Sequence, residues 1–276
     1  MKIKFLVFFL GVFLFSNKIS AHQIAPFTFL PPTLVGRELD NEEFLGAIIR
    51  GDQSEKKIAL VFTGDEFGDG LSKVINTLKR EKIHASFFLT GNFYRNKNFK
   101  KQIIELRDNG NYLGSHSDKH LLYCDWTKRD SLLVSRAEFE KDIKDSYKEL
   151  QKFNIDRKQA PYFLPPYEWY NETIASWTRD MDLQLINFSP GTRSTADYTY
   201  PEMNERYVDN EIVMKSVLDY EKKDKNGLNG FILLSHIGTD PRRKEKFYDQ
   251  LPTLINTLKS KGYQFVRIDE LLKPDN

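Results

Sequence analysis

The chain is nearly without cysteine: Cys124 is the one thiol in 276 residues. A lone cysteine closes no internal disulfide, which excludes a small cross-linked scaffold and leaves stability to an ordinary hydrophobic core. An excess of one charge is also lacking, because 41 Lys and Arg stand against 39 Asp and Glu for a formal +2. With no run of like charge either, the electrostatic footprint of a nucleic-acid binder is missing. Past the N terminus there is no apolar stretch of the roughly 20 residues that a membrane-spanning helix needs, no internal repeat and no low-complexity tract. Histidine is scarce at five residues, so the positions of those five carry information.

The first 21 residues stand apart. Lys2 and Lys4 precede an apolar run from Phe5 to Phe15, and small residues follow as far as Ala21. That order is the pattern of a secretory signal peptide cleaved after Ala21. The expectation is an exported protein, periplasmic or secreted, with no integral membrane span once the signal is gone. Cleavage removes Lys2, Lys4 and Lys18 and no acid, turning the formal +2 into −1. The chain then divides into a signal peptide (1–21), an irregular lead-in (22–56) and one large domain (57–276).

From Lys57 onward, short apolar runs alternate with amphipathic segments. "KIALVFTG" (57–64) predicts a buried strand and "GLSKVINTLKREK" the helix after it. "HASFFLTG" (84–91) and "FKKQIIELRDNG" repeat the pair, the helix closed by Asn109 and Gly110. "YLGSH" is the next strand, "RAEFEKDIKDSYKELQKF" a long helix and "APYFLPPY" an extended segment. Helix "NETIASWTRDM", strand "LQLINFS", helix "DNEIVMKSVLDYEKK", strand "GFILLSH", helix "YDQLPTLINTLKSKG" and strand "YQFVRI" complete the series. Repeated strand–helix units over this length predict an α/β fold with a parallel sheet, most simply a single-domain (β/α) barrel.

In such barrels chemistry sits at the C-terminal ends of the strands. Asp65 and Glu66 fall there after the first strand, His116 and His120 after the third, and Tyr167 and Glu168 after "FLPP". Arg193 lies in the loop after "LINFS", and His236 ends "GFILLSH". Three of the five histidines thus face one rim. His116 and His120 are four residues apart, a spacing that puts two imidazoles on one side of a helical turn, where they can share a metal ion. Two ligands do not complete a site, so the rest of the chain must supply a third.

This constellation resembles the NodB-homology polysaccharide deacetylases, carbohydrate esterase family four, from roughly Lys57 to Leu272. "HSDKH" is similar to that family's His-Ser/Thr-x-x-His metal motif, and "FLPPY" to its arginine-proline-proline-tyrosine motif. "FILLSH" is similar to the apolar strand ending in a functional histidine, and "LINTLKSKGYQFVRIDELL" to the close of the domain. The resemblance implies a distorted (β/α) barrel and a divalent metal, zinc by its ligands, held by Asp65, His116 and His120. It implies that the Tyr167 backbone N–H, presented by Pro165 and Pro166, helps hold an oxyanion and that His236 is the general acid. The implied activity is metal-dependent hydrolysis of N- or O-acetyl groups on an extracytoplasmic polysaccharide or oligosaccharide. The alternative is a catalytically silent carbohydrate-binding relative.

Two departures bear on the chemistry. The family's adjacent aspartates, one a base and one a metal ligand, become Gly64-Asp65 or Asp65-Glu66, depending on which carboxylate holds the metal. The arginine that steadies the base becomes Leu164. With Asp65 as ligand, base and arginine are lost together, which is coherent, since a buried arginine without its carboxylate is an unpaired charge. The base then falls to Glu66, to Glu168 or to no side chain; with Glu66 as ligand instead, it is Asp65. Asp197 is a candidate to orient His236. Pro166, Arg193 and Trp169 are candidates for contact with the sugar, and Cys124 reads as a buried, inert thiol.

Overall fold

The computed structural model describes residues 41–272; the signal peptide expected at 1–21 lies outside the described residues. Within the lead-in expected to be irregular, β1 (Glu42–Phe44) and β2 (Ala47–Arg50) form an antiparallel hairpin. Its turn is Leu45-Gly46, at φ 48° and 80°, the two-residue geometry whose twist suits right-handed strands. All four residues of β2 are buried, including Arg50. The Arg50 guanidinium donates to the carbonyls of Asn229 and Gly227 and to Tyr220 Oη, stitching the hairpin to the far end of the chain. A hairpin this short shows no period in the sequence, which is why the lead-in reads as irregular.

From Lys57 the strand–helix alternation holds. β3 (Lys57–Gly64) is central, and seven of its eight residues are buried. A strand covered on both faces produces the unbroken apolar run seen in the sequence. β4 (Ser86–Leu89), β5 (Tyr112–Ser115), β6 (Tyr162–Phe163) and β7 (Gln184–Leu185) follow in parallel on one side. β8 (Phe231–His236) pairs with β3 on the other side and meets β2, while β9 (Gln264–Val266) pairs with the start of β3. The order is β1-β2-β8-β3-β4-β5-β6-β7.

The sheet curls into a distorted barrel rather than an even ring. One parallel bridge, Ile48 to Ile186, brings its far edge back to β2. The distortion lies where β6 and β7 have two residues each. The expected strand "LQLINFS" is regular only at Gln184–Leu185, after which its N–H groups pass from one neighbour to the next, Ile186 to Phe163 O, Asn187 to Ile48 O and Ser189 to Ile232 O. Ser189 Oγ donates to Ile49 O and accepts from Ile232 N–H, filling the gap between β2 and β8.

Helices α1 (Leu71–Glu81), α2 (Gly91–Arg95), α3 (Lys100–Asp108) and α4 (Arg136–Gln151) cover one part of the sheet. They are followed by α5 (Glu172–Asp180), α6 (Asn210–Lys223), α7 (Leu251–Ser260) and α8 (Ile268–Leu271). Their starts are set locally. Ser135 and Glu138 form a capping box at α4, and the side chains of Asn171 and Asp209 accept the third N–H of α5 and α6. Among the described residues no helix is long and apolar enough to cross a membrane.

Candidate active site

β5 ends at Ser115 and the chain turns sharply. Ser117 (φ 72°) and His120 (φ 55°) are left-handed, so residues 116–120 form a tight turn, not the helical turn that the spacing suggests. Ser115 Oγ accepts the Ser117 N–H and Ser117 Oγ accepts the His120 N–H, local bonds that serine offers in competition with helix. The turn still joins the two imidazoles, whose Nε2 atoms are 3.2 Å apart. His116 Nδ1 lies 2.8 Å from Leu164 O. A carbonyl only accepts, so the proton sits on Nδ1 and the Nε2 lone pair faces His120. Burial, reinforced by His120, pushes His116 well below the usual histidine range; burial also lowers His120, against the pull of the Asp65 carboxylate. Both rings are therefore held neutral, the form that binds metal.

That spacing suits a shared ion. Zinc–nitrogen bonds of about 2.0–2.1 Å at a tetrahedral angle put two ligand atoms about 3.3 Å apart. The third ligand is not in place: among the described residues no group of three or more His, Cys, Asp or Glu side chains is gathered to hold a metal. Asp65 follows β3 and is turned onto Thr90, whose hydroxyl donates to its Oδ1 at 2.8 Å. Glu66 is exposed. A Cβ on Gly64 would come within 2.6 Å of Ile237 Cγ2 and 3.0 Å of Leu89 and Phe93. A carboxylate there would meet packed apolar side chains. The β3 residue that shares a sheet face with His236 is Thr63, its register partner. Its Oγ1 is buried with no hydrogen-bond partner among the described residues.

The proline segment supplies the other wall. Leu164, at the family's arginine position, is fully buried, and its carbonyl is what orients His116. Tyr167 and Glu168 are both left-handed, at φ 60° and 53°. Consecutive non-glycine residues in that region are uncommon, and such strain clusters at functional sites. The Tyr167 ring lies 4.3 Å from His120. Glu168 is 14% exposed, with Oε1 3.9 Å from His116 Nε2. Burial pushes its carboxyl up to about 7, with His236 opposing and Asp197 adding to the rise.

The expected sugar contacts are less open. Pro166 is buried. Trp169 is nearly so, its Nε1–H donating to Asp125 O and the Arg129 guanidinium 3.5 Å above its ring. Trp126 and Tyr167, 40% and 44% exposed and packed edge to face, are accessible rings, as is Tyr198 beside His236. Arg193 is exposed and binds Ser216 Oγ through its backbone N–H. Cys124 is buried and its thiol is pushed up to about 11 by that burial.

His236 closes the rim. Its Nδ1 is 2.6 Å from Asp197 Oδ1, and its backbone N–H donates to Asp197 Oδ2 at 2.9 Å. Burial pulls this imidazole down, yet the charge and hydrogen bond of Asp197, with Glu168 behind them, outweigh it and leave the ring above the usual range. Nδ1 is committed to the carboxylate, so Nε2 is the position left for proton transfer. The charge of His236 reaches His116, His120 and Glu168, and Glu168 itself stands beside His116. The sequence singles out the three histidines. It gives no hint of Thr90 or of the buried Arg243.

The family model described as polysaccharide deacetylase matches residues 50–186. The chain is 26% identical over 221 residues to a peptidoglycan-N-acetylglucosamine deacetylase of Bacillus cereus, covering 80% of this chain and 90% of that protein. It is 26% identical over 243 residues to the peptidoglycan-N-acetylmuramic acid deacetylase PdaA of Bacillus subtilis, covering 87% and 81%. Among solved structures, a carbohydrate esterase family four pseudoenzyme from Bacillus anthracis superposes with a TM-score of 0.64 at 19% identity, over 84% of this chain and 70% of that one. That last likeness is one of fold. The chain is a divergent member of the polysaccharide deacetylases, hydrolases of carbon–nitrogen bonds other than peptide bonds.

Proposed function

We propose that the protein is a metal-dependent deacetylase acting outside the cytoplasm on the acetyl groups of a hexosamine polymer of the peptidoglycan or chitin type. The observation that carries this reading is the meeting of two neutral imidazoles, His116 and His120, with His236 on its Asp197 partner across the same space. The names of the two Bacillus relatives support the choice of glycan; the signal-peptide pattern supports export. His116 and His120 are the residues that would hold the ion, with Asp65 the carboxylate whose charge reaches His120. A bound divalent ion, zinc by ligand type, supplies a polarised carbonyl and an acidified water.

The remaining roles belong to the chain. The Tyr167 N–H, placed by Pro165-Pro166, donates to the oxyanion as the carbonyl becomes tetrahedral. Glu168 accepts the proton of the attacking water, since a base poised near neutrality suits that task. His236 delivers a proton from Nε2 to the departing amine as the C–N bond breaks. Glu66 stays in solvent and takes no part.

The test is acetate release by the mature protein from N-acetylglucosamine oligomers, peptidoglycan and acetylated xylan, after chelation and with zinc restored. Zinc-dependent acetate is expected. Bound zinc without acetate from any of these would favour a silent glycan-binding relative. The loss of the usual base–arginine pair at Gly64 and Leu164 is the observation on that side.

A further inference from the structure

Arg243 has no solvent exposure at all. A buried guanidinium is costly unless its donors are bound and its charge is answered. Its donors reach one segment. Nη1 donates to the carbonyls of both Thr199 and Val208, and Nη2 to Asn210 Oδ1 at 2.6 Å, while Nε has no partner among the described residues. Thr199 and Val208 are the neck of a loop. Thr199 Oγ1 accepts the Val208 N–H at 3.0 Å and donates to Ala196 O at 2.7 Å. One nitrogen of Arg243 therefore holds both sides of that neck, and Asp197 lies two residues before it.

All three direct acceptors are neutral oxygens, which a neutral donor could also satisfy. What arginine adds is a permanent positive charge within electrostatic reach of the Asp197, Asp209 and Glu245 carboxylates, Asp197 most strongly. Asp197 is 2% exposed and binds His236 twice, through the ring and through the backbone. His236 in turn faces Asp197, Glu168 and Arg243, with the Tyr198 ring 5.1 Å away and its own charge reaching His116 and His120. We propose that Arg243 is a positioning residue for His236. It closes the neck of the 199–208 loop so that Asp197 holds the imidazole in one orientation and one tautomer, and its fixed charge offsets the pull of Asp197 on the imidazole proton.

The experiment compares Arg243→Gln, which keeps donors but loses the charge, with Arg243→Lys, which keeps the charge but loses the fork. Folding is checked by circular dichroism. The first readout is the His236 imidazole followed by nitrogen NMR across pH in the mature protein, assigned against His236→Gln. The second is kcat and KM for acetate release from N-acetylglucosamine oligomers, which rests on the deacetylase reading. Arg243→Gln is expected to raise the His236 titration midpoint and to cut kcat at least tenfold with KM within twofold. Arg243→Lys is expected to leave the midpoint in place and to cut kcat alone. A folded Arg243→Gln whose His236 keeps its midpoint and tautomer would overturn the assignment. Should that variant not fold, Asn210→Ala cuts one bond of the fork and keeps the charge. It is expected to lower kcat about threefold and broaden the His236 Nδ1 proton signal, and no change in either overturns the proposal. If the wild-type protein releases no acetate, the deacetylase reading fails and the imidazole signals alone decide the role of Arg243.

Discussion

A carboxyl raised to about 7 ionises only as pH passes neutrality, which makes Glu168 legible to experiment. Its folded value lies above the ordinary 4.5, so between those two pH values the unfolded chain releases the proton first. Stability therefore falls as pH rises through that window and levels off above it. In the metal-free protein, Glu168→Gln is expected to gain on the order of 1–3 kcal/mol relative to wild type at pH 8 compared with pH 5, by urea denaturation. A pH-independent difference would put this carboxylate in contact with bulk water. The same variant is expected to lose about 10²-fold or more in kcat; a loss under threefold removes Glu168 from the base role. His120→Ala is expected to abolish zinc binding in equilibrium dialysis while the chelated protein keeps its circular dichroism spectrum, whereas loss of fold would make the metal structural. At this scale the sequence exposes the scarce residues, because five histidines are easy to place. It hides Thr63, Thr90 and Arg243, which are common residue types whose importance comes from what surrounds them.

Elements are set by short-range rules, and two of them can be tested singly. Ser135→Ala removes the half of the reciprocal cap on α4 in which Ser135 Oγ accepts the Glu138 N–H, and leaves the Ser135 N–H free to donate to the Glu138 carboxylate. It is expected to cost about 1 kcal/mol, or about 2–4 °C in Tm, by thermal denaturation. Gly64 sits against Ile237, Leu89 and Phe93 with no room for a Cβ. Gly64→Ala is expected to cost about 1–3 kcal/mol by urea denaturation, as overpacked cores do; a neutral result would mean that the end of β3 is looser than its contacts indicate. The long elements are legible in the sequence because each repeats its period several times. β3 matches its apolar run residue for residue, and α4 and α6 match their amphipathic stretches to within a turn. The hairpin β1–β2 and α2 are not, since three to five residues cannot display a period, and β6 and β7 are shorter than the extended segment and strand expected around them.

At the scale of the whole molecule, an ion bound by residues that only the folded chain brings together must stabilise it by mass action. Zinc added to the chelated protein is expected to raise Tm with concentration, corresponding to about 2.7 kcal/mol at 100 times Kd. An unmoved Tm would leave the histidine pair without a metal role. The sequence by itself determined the strand–helix alternation, the family and the three histidines at strand ends, because periodicity and short motifs are properties of neighbouring residues. Tertiary structure decided the rest. It joined His116 to His120 through left-handed residues instead of a helix, and turned position 64 into packed side chains. It also set Glu168 beside His116 and ran Arg243 beneath the loop that carries Asp197. The turn is closed by Ser115 and Ser117 beside it, but the other three depend on residues dozens of positions apart being pressed into one low-dielectric space, where burial and unlike charges fix protonation and geometry together.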